Sequence, residues 1–400
     1  MLPHKSLDIR VSIDVGCYQH SVAVGLSTGE LIDEFEIDHN QQGFDRFFDK
    51  IHDIESRYLA PVSVAMEGYN GWARPLDQHI LSHGYTLFNI NNLKLARFKE
   101  VFPSAAKTDA IDARKGLELF TLSDHLPLAK NCLQRIKKPD QINIKLKRYS
   151  RRRRRLVDEK VRIKGAMHSD LQSISPELLS LTKNIDQSWF LNLLTSVTEL
   201  SQLAKKQQRS LAKIKGVGTR YLARIKEWQQ VASFSEDTSW VSPMLIEDAY
   251  KMLELRALIK ALDDTMEALC EASEIGRLLK TIPGFGKTSC AELAGEVDDI
   301  RRFESEASLA MYLGMAPLDN ASGVYRGSKT PKQINRRAKK AMMTAVDRHR
   351  ANVTESQVFY DKKRKQGKKH NQSVRALGRY LTKVIFKMLI ENRAYEIRLL

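Results

Sequence analysis

Ile9-Arg-Val-Ser-Ile-Asp-Val-Gly16, Ser21-Val-Ala-Val-Gly-Leu26 and Leu31-Ile-Asp-Glu-Phe-Glu-Ile37 follow one another with only short breaks. Cys17-Tyr-Gln-His20 and Ser27-Thr-Gly-Glu30 are turn-forming stretches, so the three runs read as an antiparallel meander. Outward from it, Phe44, Phe47, Phe48, Ile51 and Ile54 recur at helical spacing between Gln42 and Tyr58. A strand over 62–67, a helix over 72–82, a strand over 84–90 and helical segments from 92 onward complete the region.

Three antiparallel strands followed by parallel strands with crossover helices is the order of the ribonuclease H-like fold. The same order opens the actin-like ATPases. Four acids in this region are placed where carboxylates could hold metal. Asp14 lies in the first apolar run, and Glu67 ends Val62-Ser-Val-Ala-Met-Glu67. Asp109 and Asp112 stand three apart in Lys107-Thr-Asp-Ala-Ile-Asp-Ala113, which puts both on one face of a helix. Four carboxylates can hold two Mg²⁺ ions against a scissile phosphate, as many phosphoryl-transfer enzymes do. Any one of them could instead be a capping or salt-bridge residue.

The chain has 400 residues and a formal net charge of +17, with 42% hydrophobic residues. That length suits two or three domains with a real core. The charge points to a polyanionic partner. It is clustered: Arg151 to Arg155 is an unbroken arginine run, and Lys362-Lys-Arg-Lys365 with Lys368-Lys369 forms a second cluster. Cys17, Cys132, Cys270 and Cys290 have no zinc-finger spacing and read as reduced thiols. No stretch approaches the roughly 20 apolar residues of a membrane span. The N-terminus lacks an apolar signal region, so the chain reads as cytoplasmic with no membrane partner. His20, His79, His83 and His125 lie in ordinary surroundings and receive no role.

From 130 the composition turns to long, charged helices. Tyr149 to Leu171 carries a partial apolar stripe (Leu156, Ile163, Met167, Leu171) interrupted by Arg153 and Lys160. Leu245 to Ser273 carries the seam Ala249, Met252, Ile259, Met266 and Leu269, which suggests a coiled-coil arm or an oligomer contact. Three units are expected: 1–128, 129–275 and 276–400. In the last, Leu278-Leu-Lys-Thr-Ile-Pro-Gly-Phe-Gly286 reads as a helix–hairpin–helix whose Gly284 and Gly286 let the backbone approach a phosphate. A plain helix–helix turn is the alternative. Leu211-Ala-Lys-Ile-Lys-Gly-Val-Gly218 is a weaker echo of it. Beyond the hairpin, Ser322-Gly323 falls in a loop of small residues. A dense basic set follows: Arg326, Lys329, Lys332, Arg336, Arg337, Lys339 and Lys340. Thr330-Pro331 reads as the cap and first residue of a helix with one cationic, phosphate-contacting face. A serine beside such charge can attack phosphorus, although an ordinary turn serine is the more common case.

These motifs together resemble the DEDD-type transposases of the IS110 kind, which include the Piv-type DNA invertases. Ile13-Asp-Val15, Ala65-Met-Glu-Gly68 and Lys107-Thr-Asp-Ala-Ile-Asp-Ala113 carry the resemblance in the first third. Arg148 to Leu171, Ile282-Pro-Gly-Phe-Gly286, Arg302-Phe303, Tyr312-Leu-Gly314, Pro317 through Gly323 and Gly367-Lys-Lys-His370 extend it over most of the chain; residues 180–240 fit least well and read as an insertion. The resemblance implies a RuvC-like N-terminal domain, a helical coiled-coil middle and a mostly helical C-terminal transposase domain. It also implies Mg²⁺ held by Asp14, Glu67, Asp109 and Asp112, with Ser322 as a nucleophile that forms a covalent link to DNA and Ser328 as its competitor. The implied partners are double-stranded donor and target DNA and a structured guide RNA. Strand exchange needs at least two cutting centres, which predicts a homo-oligomer.

Three other classes compete with this one. A RuvC-like structure-specific endonuclease would need only the four acids and metal-activated water. An actin-like ATPase requires a second glycine-rich phosphate loop, and 60–130 has none. A purely architectural DNA binder leaves Asp14 and Glu67 without a purpose.

Overall fold

A computed structural model describes residues 7–68, 74–101, 108–125, 132–136, 140–329, 331 and 334–396. By contact the chain falls into two compact units, residues 1–140 with 299–308, and residues 141–298 with 309–400. The helical middle and the C-terminal segment share the second unit.

The first unit is built on a six-stranded sheet. Its strands are β1 (Ile9–Val15), β2 (Gln19–Leu26), β3 (Leu31–Asp38), β4 (Val62–Glu67), β5 (Thr86–Ile90) and β6 (Leu133–Ile136), in the order β3-β2-β1-β4-β5-β6. β1, β2 and β3 form the expected antiparallel meander, and β1, β4 and β5 run parallel. The helices are α1 (Gln41–Tyr58), α2 (Arg74–Ser82), α3 (Asn92–Val101) and α4 (Asp109–Leu122). Parallel neighbours need crossover connections, which α1 and α2 supply. β6, antiparallel to β5, is an addition to the strands read from sequence. Its four residues, Leu-Gln-Arg-Ile, are too short and too polar to register as a strand.

Strand alternation decides what each sheet face does. Ile9, Val11 and Ile13 of β1 and Val62, Val64 and Met66 of β4 share one core with Phe44, Phe47, Phe48 and Ile51 of α1. The alternate residues face α4. Ala65 of β4 packs with Leu119 and Phe120, and Ala23 of β2 packs with Ala113 and Leu117. Arg10 donates through Nη1 to the Phe120 carbonyl at 3.1 Å. α4 lies so close to β1 that a Cβ on Gly116 would meet Ser12 Oγ at 2.3 Å.

The second unit is helical apart from one hairpin. It contains α5 (Gln141–Ile174), α6 (Pro176–Leu179), α7 (Ser188–Leu194), α8 (Gln202–Lys205), α9 (Gln208–Ala212), α10 (Thr219–Val231), α11 (Thr238–Ala272), α12 (Glu274–Lys280), α13 (Lys287–Val297) and α14 (Glu306–Tyr312, which begins in the first unit). The hairpin β7 (Leu318–Ser322) and β8 (Tyr325–Lys329) and the helices α15 (Arg336–Asn352), α16 (Thr354–Lys365) and α17 (His370–Ile390) complete it. Most residues of the apolar seams of α5 and α11 are buried within this chain. Leu156, Ile163, Met167 and Leu171 are buried in one core with Ala249, Met252 and Ile259, closed over by Trp189, Phe190, Ile225 and Trp228. The charged residues that interrupt the α5 stripe are neutralised in place: Arg153 pairs with Asp263 of α11, and Lys160 pairs with Asp186.

Two turns share one geometry. At Ile214-Lys-Gly-Val-Gly218 and Ile282-Pro-Gly-Phe-Gly286, Gly216 and Gly284 have φ of +87° and +81°. The Val217 and Phe285 amides donate to the carbonyls of Ile214 and Ile282 at 3.0 and 3.1 Å. Gly218 and Gly286 then cap α10 and α13. Gly284 presses on α15, where a Cβ would stand 2.6 Å from the His349 amide nitrogen, whereas Gly286 faces open space. Internal packing therefore accounts for Gly284, and Gly286 keeps an exposed backbone.

Two measurements check this packing. Gly116→Ala is expected to destabilise the protein by about 1–3 kcal/mol through overpacking, and adding Ser12→Ala to recover most of the loss, in urea titrations. Gly284→Ala is expected to cost more than Gly286→Ala, because its Cβ meets backbone that cannot step aside and its φ disfavours any side chain. Equal costs would show that the α15 contact is not as described.

Candidate active site and nucleic-acid interface

Asp14 and Glu67 end up together because of register and alternation. Ile13 pairs with Met66 in the parallel β1–β4 ladder, and Asp14 and Glu67 are the next residue on each strand. Both fall on the α4 face of the sheet, at the carboxyl ends of two parallel neighbours, where open α/β sheets place their ligands. Asp109 is the first residue of α4, and Asp112 follows one turn on. Thr108 caps this helix, its Oγ1 accepting from the Ile111 amide at 3.3 Å. Carboxylates in a first turn also favour the helix dipole, so the motif stabilises its own helix whatever else it does. Lys107, the first residue of the motif, lies outside the described residues.

Burial pushes the Asp14 carboxyl up to about 6. Lys99 opposes that rise, and the charges of Asp112, Asp109 and Glu67 add to it. The four acids thus share one electrostatic neighbourhood. They do not form a closed ligand cage: among the described residues no three carboxylate, histidine or cysteine groups stand at metal-holding spacing. The physical reason is local. Like charges hold each other apart, and Lys99 of α3 binds Asp112 at 2.9 Å. An all-oxygen donor set with strained ionisation suits a hard divalent cation. Lys99 has no signal in the sequence, because it lies thirteen positions from Asp112 and a lone lysine carries no pattern.

Ser322 stands in the second unit. It ends β7 rather than lying in a loop, and pairs with Tyr325 across a tight turn of Gly323 (φ +55°) and Val324. It is exposed, and its hydroxyl makes no hydrogen bond among the described residues. Ser328 lies on β8 opposite Asp319. The excursion that carries the hairpin is pinned at its base. The Asn335 amide donates to the Tyr312 carbonyl at 2.9 Å. Asn335 Nδ2 donates to Tyr312 Oη and to Glu296 Oε2, each at 2.7 Å. Asn335 also caps α15, accepting from the amides of Arg337 and Ala338. The cap expected at Thr330-Pro331 is therefore not the helix start: Pro331 precedes α15 by several residues, and Thr330 lies outside the described residues.

The basic run divides by helix face. Arg151 is held on Glu296 at 2.8 Å and Arg154 on Glu292 at 2.8 Å, both acids being on α13, while Arg153 meets Asp263. Burial raises the Glu296 carboxyl, but Arg151 and Asn335 more than reverse this and hold it below its ordinary value. Arg152 and Arg155 are exposed, with no ion pair among the described residues. Arg336, Arg337 and Lys340 are exposed on α15, around its buried face of Ala338, Ala341, Met342 and Ala345. Lys332 and the side chains of Arg326 and Lys329 lie outside the described residues. No described helix is long and apolar enough to cross a membrane.

Comparison with known proteins follows this division of motifs. A DEDD-type transposase profile named for IS110 matches residues 11–176. A second profile, the transposase IS116/IS110/IS902 family, matches residues 276–361. The chain is 24% identical to the insertion element IS110 43.6 kDa protein of Streptomyces coelicolor, over 100% of this chain and 98% of that one. It is 33% identical to the insertion element IS900 42 kDa protein of Mycobacterium paratuberculosis, over 36% and 37% of the two chains. It is 28% identical to the pilin gene-inverting protein of Moraxella bovis, over 32% and 41%. With both profiles matched, and with similarity to an IS110 protein running from end to end, the chain belongs to the IS110 family of insertion-sequence transposases.

Proposed function

We propose that this transposase cuts and rejoins double-stranded DNA with Asp14, Glu67, Asp109 and Asp112 holding Mg²⁺ and Ser322 as nucleophile. The observation that carries the reading is the gathering of four acids at the carboxyl ends of β1 and β4, where their charges work against the ionisation of Asp14. Such a gathering is unfavourable unless a cation offsets it. Bound there, Mg²⁺ would polarise a phosphate and stabilise a departing oxygen. The acids would hold the ion, and Lys99 would yield Asp112 to it.

Ser322 would supply Oγ to phosphorus as the bond from phosphorus to the leaving deoxyribose oxygen breaks. The hydroxyl proton leaves to a base, and the leaving oxygen takes one up. One phosphoester replaces another, so rejoining needs no ATP. The acids and Ser322 belong to different units, so the reaction would draw on both, within one chain or across a homo-oligomer. Arg152, Arg155, Arg336, Arg337 and Lys340 would contact phosphates, together with Arg326, Lys329 and Lys332. Gly286, at the open end of α13, would add backbone donors. A structured guide RNA would read donor and target, leaving the protein to bind backbone.

A second reading is hydrolytic: a RuvC-like structure-specific endonuclease in which metal-activated water is the nucleophile. It needs only the four acids of the first unit and nothing from the second, where Ser322 lies.

Two experiments decide. Asp14→Asn is expected to abolish strand cleavage. At pH 8, above the raised value of Asp14, the ionised carboxylate carries its full folding penalty. Without Mg²⁺ the variant should therefore melt about 2–4 °C higher than the parent at pH 8, with a smaller gain at pH 5, where folded Asp14 is largely protonated. A lower melting temperature at pH 8, or surviving cleavage, overturns the site. Separately, trapping the protein on cognate DNA and mapping the adduct by mass spectrometry should place it on Ser322, with none in Ser322→Ala. An adduct on Ser328 reassigns the nucleophile, and cutting without any adduct selects the hydrolytic reading.

A further inference from the structure

The stretch from Leu200 to Lys226 contains eight lysines and arginines and no aspartate or glutamate. It lies between the two family matches, which end at 176 and resume at 276. Its charge is displayed to solvent. Lys205, Arg209, Lys213, Lys215, Arg220 and Lys226 are all exposed, and none makes an ion pair among the described residues. The other two are satisfied by main chain: Lys206 donates to the Ser196 carbonyl at 2.6 Å and Arg224 to the Ser180 carbonyl at 2.8 Å. Elsewhere in the unit the cations divide: Arg151, Arg153, Arg154, Lys160 and Arg256 each have an acidic partner, whereas Arg152 and Arg155 are exposed like these.

This surface is rigidly held. Leu203, Leu211, Val217, Ile225 and Trp228 are buried in the core that also packs α5 against α11. Trp189 stacks on Tyr221 with ring centroids 4.1 Å apart, just beyond the turn. Lys213 and Lys215 precede the glycine turn and Arg220 follows it, all three exposed. Gly218 between them has no atom within 4 Å of where its Cβ would be, so nothing shields the backbone there. Unpaired like charges on a fixed surface repel one another and are relieved by a polyanion. Spacing set by helix and turn, rather than by a flexible tail, suits a regularly repeating line of phosphates. We propose that the 200–226 face is a docking surface for the phosphate backbone of duplex DNA, indifferent to sequence and additional to the cations of α5 and α15. The inference rests on the transposase reading above only in choosing DNA as the polyanion.

The test uses the full chain and a 30-base-pair duplex of arbitrary sequence, with affinity measured by fluorescence anisotropy across a salt series. Lys213→Gln/Lys215→Gln/Arg220→Gln removes three exposed charges that make no ion pair among the described residues, so its melting temperature should match the parent's. Each lost phosphate contact lowers the salt slope by about 0.9, so the triple variant should flatten it by roughly 2–3 and bind about 10–100-fold more weakly at 0.1 M salt. A parent that binds steeply and a triple variant that binds identically would overturn the surface and leave the transposase reading intact. A parent that does not bind duplex at all would overturn both. The same series with a single-stranded RNA of matching sequence guards the choice of partner. Flattening with RNA but not with duplex DNA would overturn the proposal in favour of an RNA-binding face.

Discussion

The approach of α4 to β1 governs what the first unit can do. At Gly116 the helix rides directly over Ser12, with no room for even one methyl group. Two residues along the strand and one turn back along the helix, that closeness brings Asp112 toward Asp14. A larger residue at 116 would push α4 away from the sheet and draw Asp109 and Asp112 away from Asp14 and Glu67. Strand alternation does the rest, because the residues that feed the α1 core force Asp14 and Glu67 onto the opposite face. The candidate site is thus a by-product of ordinary packing rules applied to a helix allowed unusually close.

The second unit solves an opposite problem, too much positive charge beside an apolar core. Its solution divides the cations by helix face. On α5, arginines turned inward meet the acids of α13 and α11, which fastens the C-terminal helices to the long helical pair. Those turned outward stay free for a partner. Buried pairs of this type contribute less to stability than their number suggests, because desolvation offsets the Coulomb attraction. They do fix which helix meets which. Glu296 is the busiest member, joining α5, α13, Tyr312 and the cap of α15 through Arg151 and Asn335.

Much of this was legible in the residues themselves. The meander, the crossover helices and the four acids follow from alternation, spacing and position, which are local signals. What was missed is long-range. β6 becomes a strand only because β5 offers a free edge. The seams of α5 and α11 look exposed until α7 and α10 are folded over them, and nothing in a periodic stripe says which chain will cover it. The arginine run reads as uniformly available, yet three of its five members are claimed by acids more than a hundred residues away. Gly284 and Gly286 look equivalent in sequence and differ in the structure because α15 lies against one and not the other. Lys99 left no trace at all, since its role depends on where an opposing helix happens to put its ammonium.

That ammonium has a consequence for how the acid cluster meets a cation. A site of carboxylates alone would draw in any passing positive ion by simple attraction. On the metal-binding reading proposed above, a lysine tethered to Asp112 would make entry an exchange, in which one positive group lets go as another arrives. The resting cluster is then one charge less negative than its acids alone would make it, and its affinity for monovalent ions is correspondingly reduced. A divalent ion, carrying twice the charge of the group it displaces, leaves the cluster better neutralised than before. The displaced lysine would remain on its helix, a positive charge freed beside any phosphate that the proposed ion held.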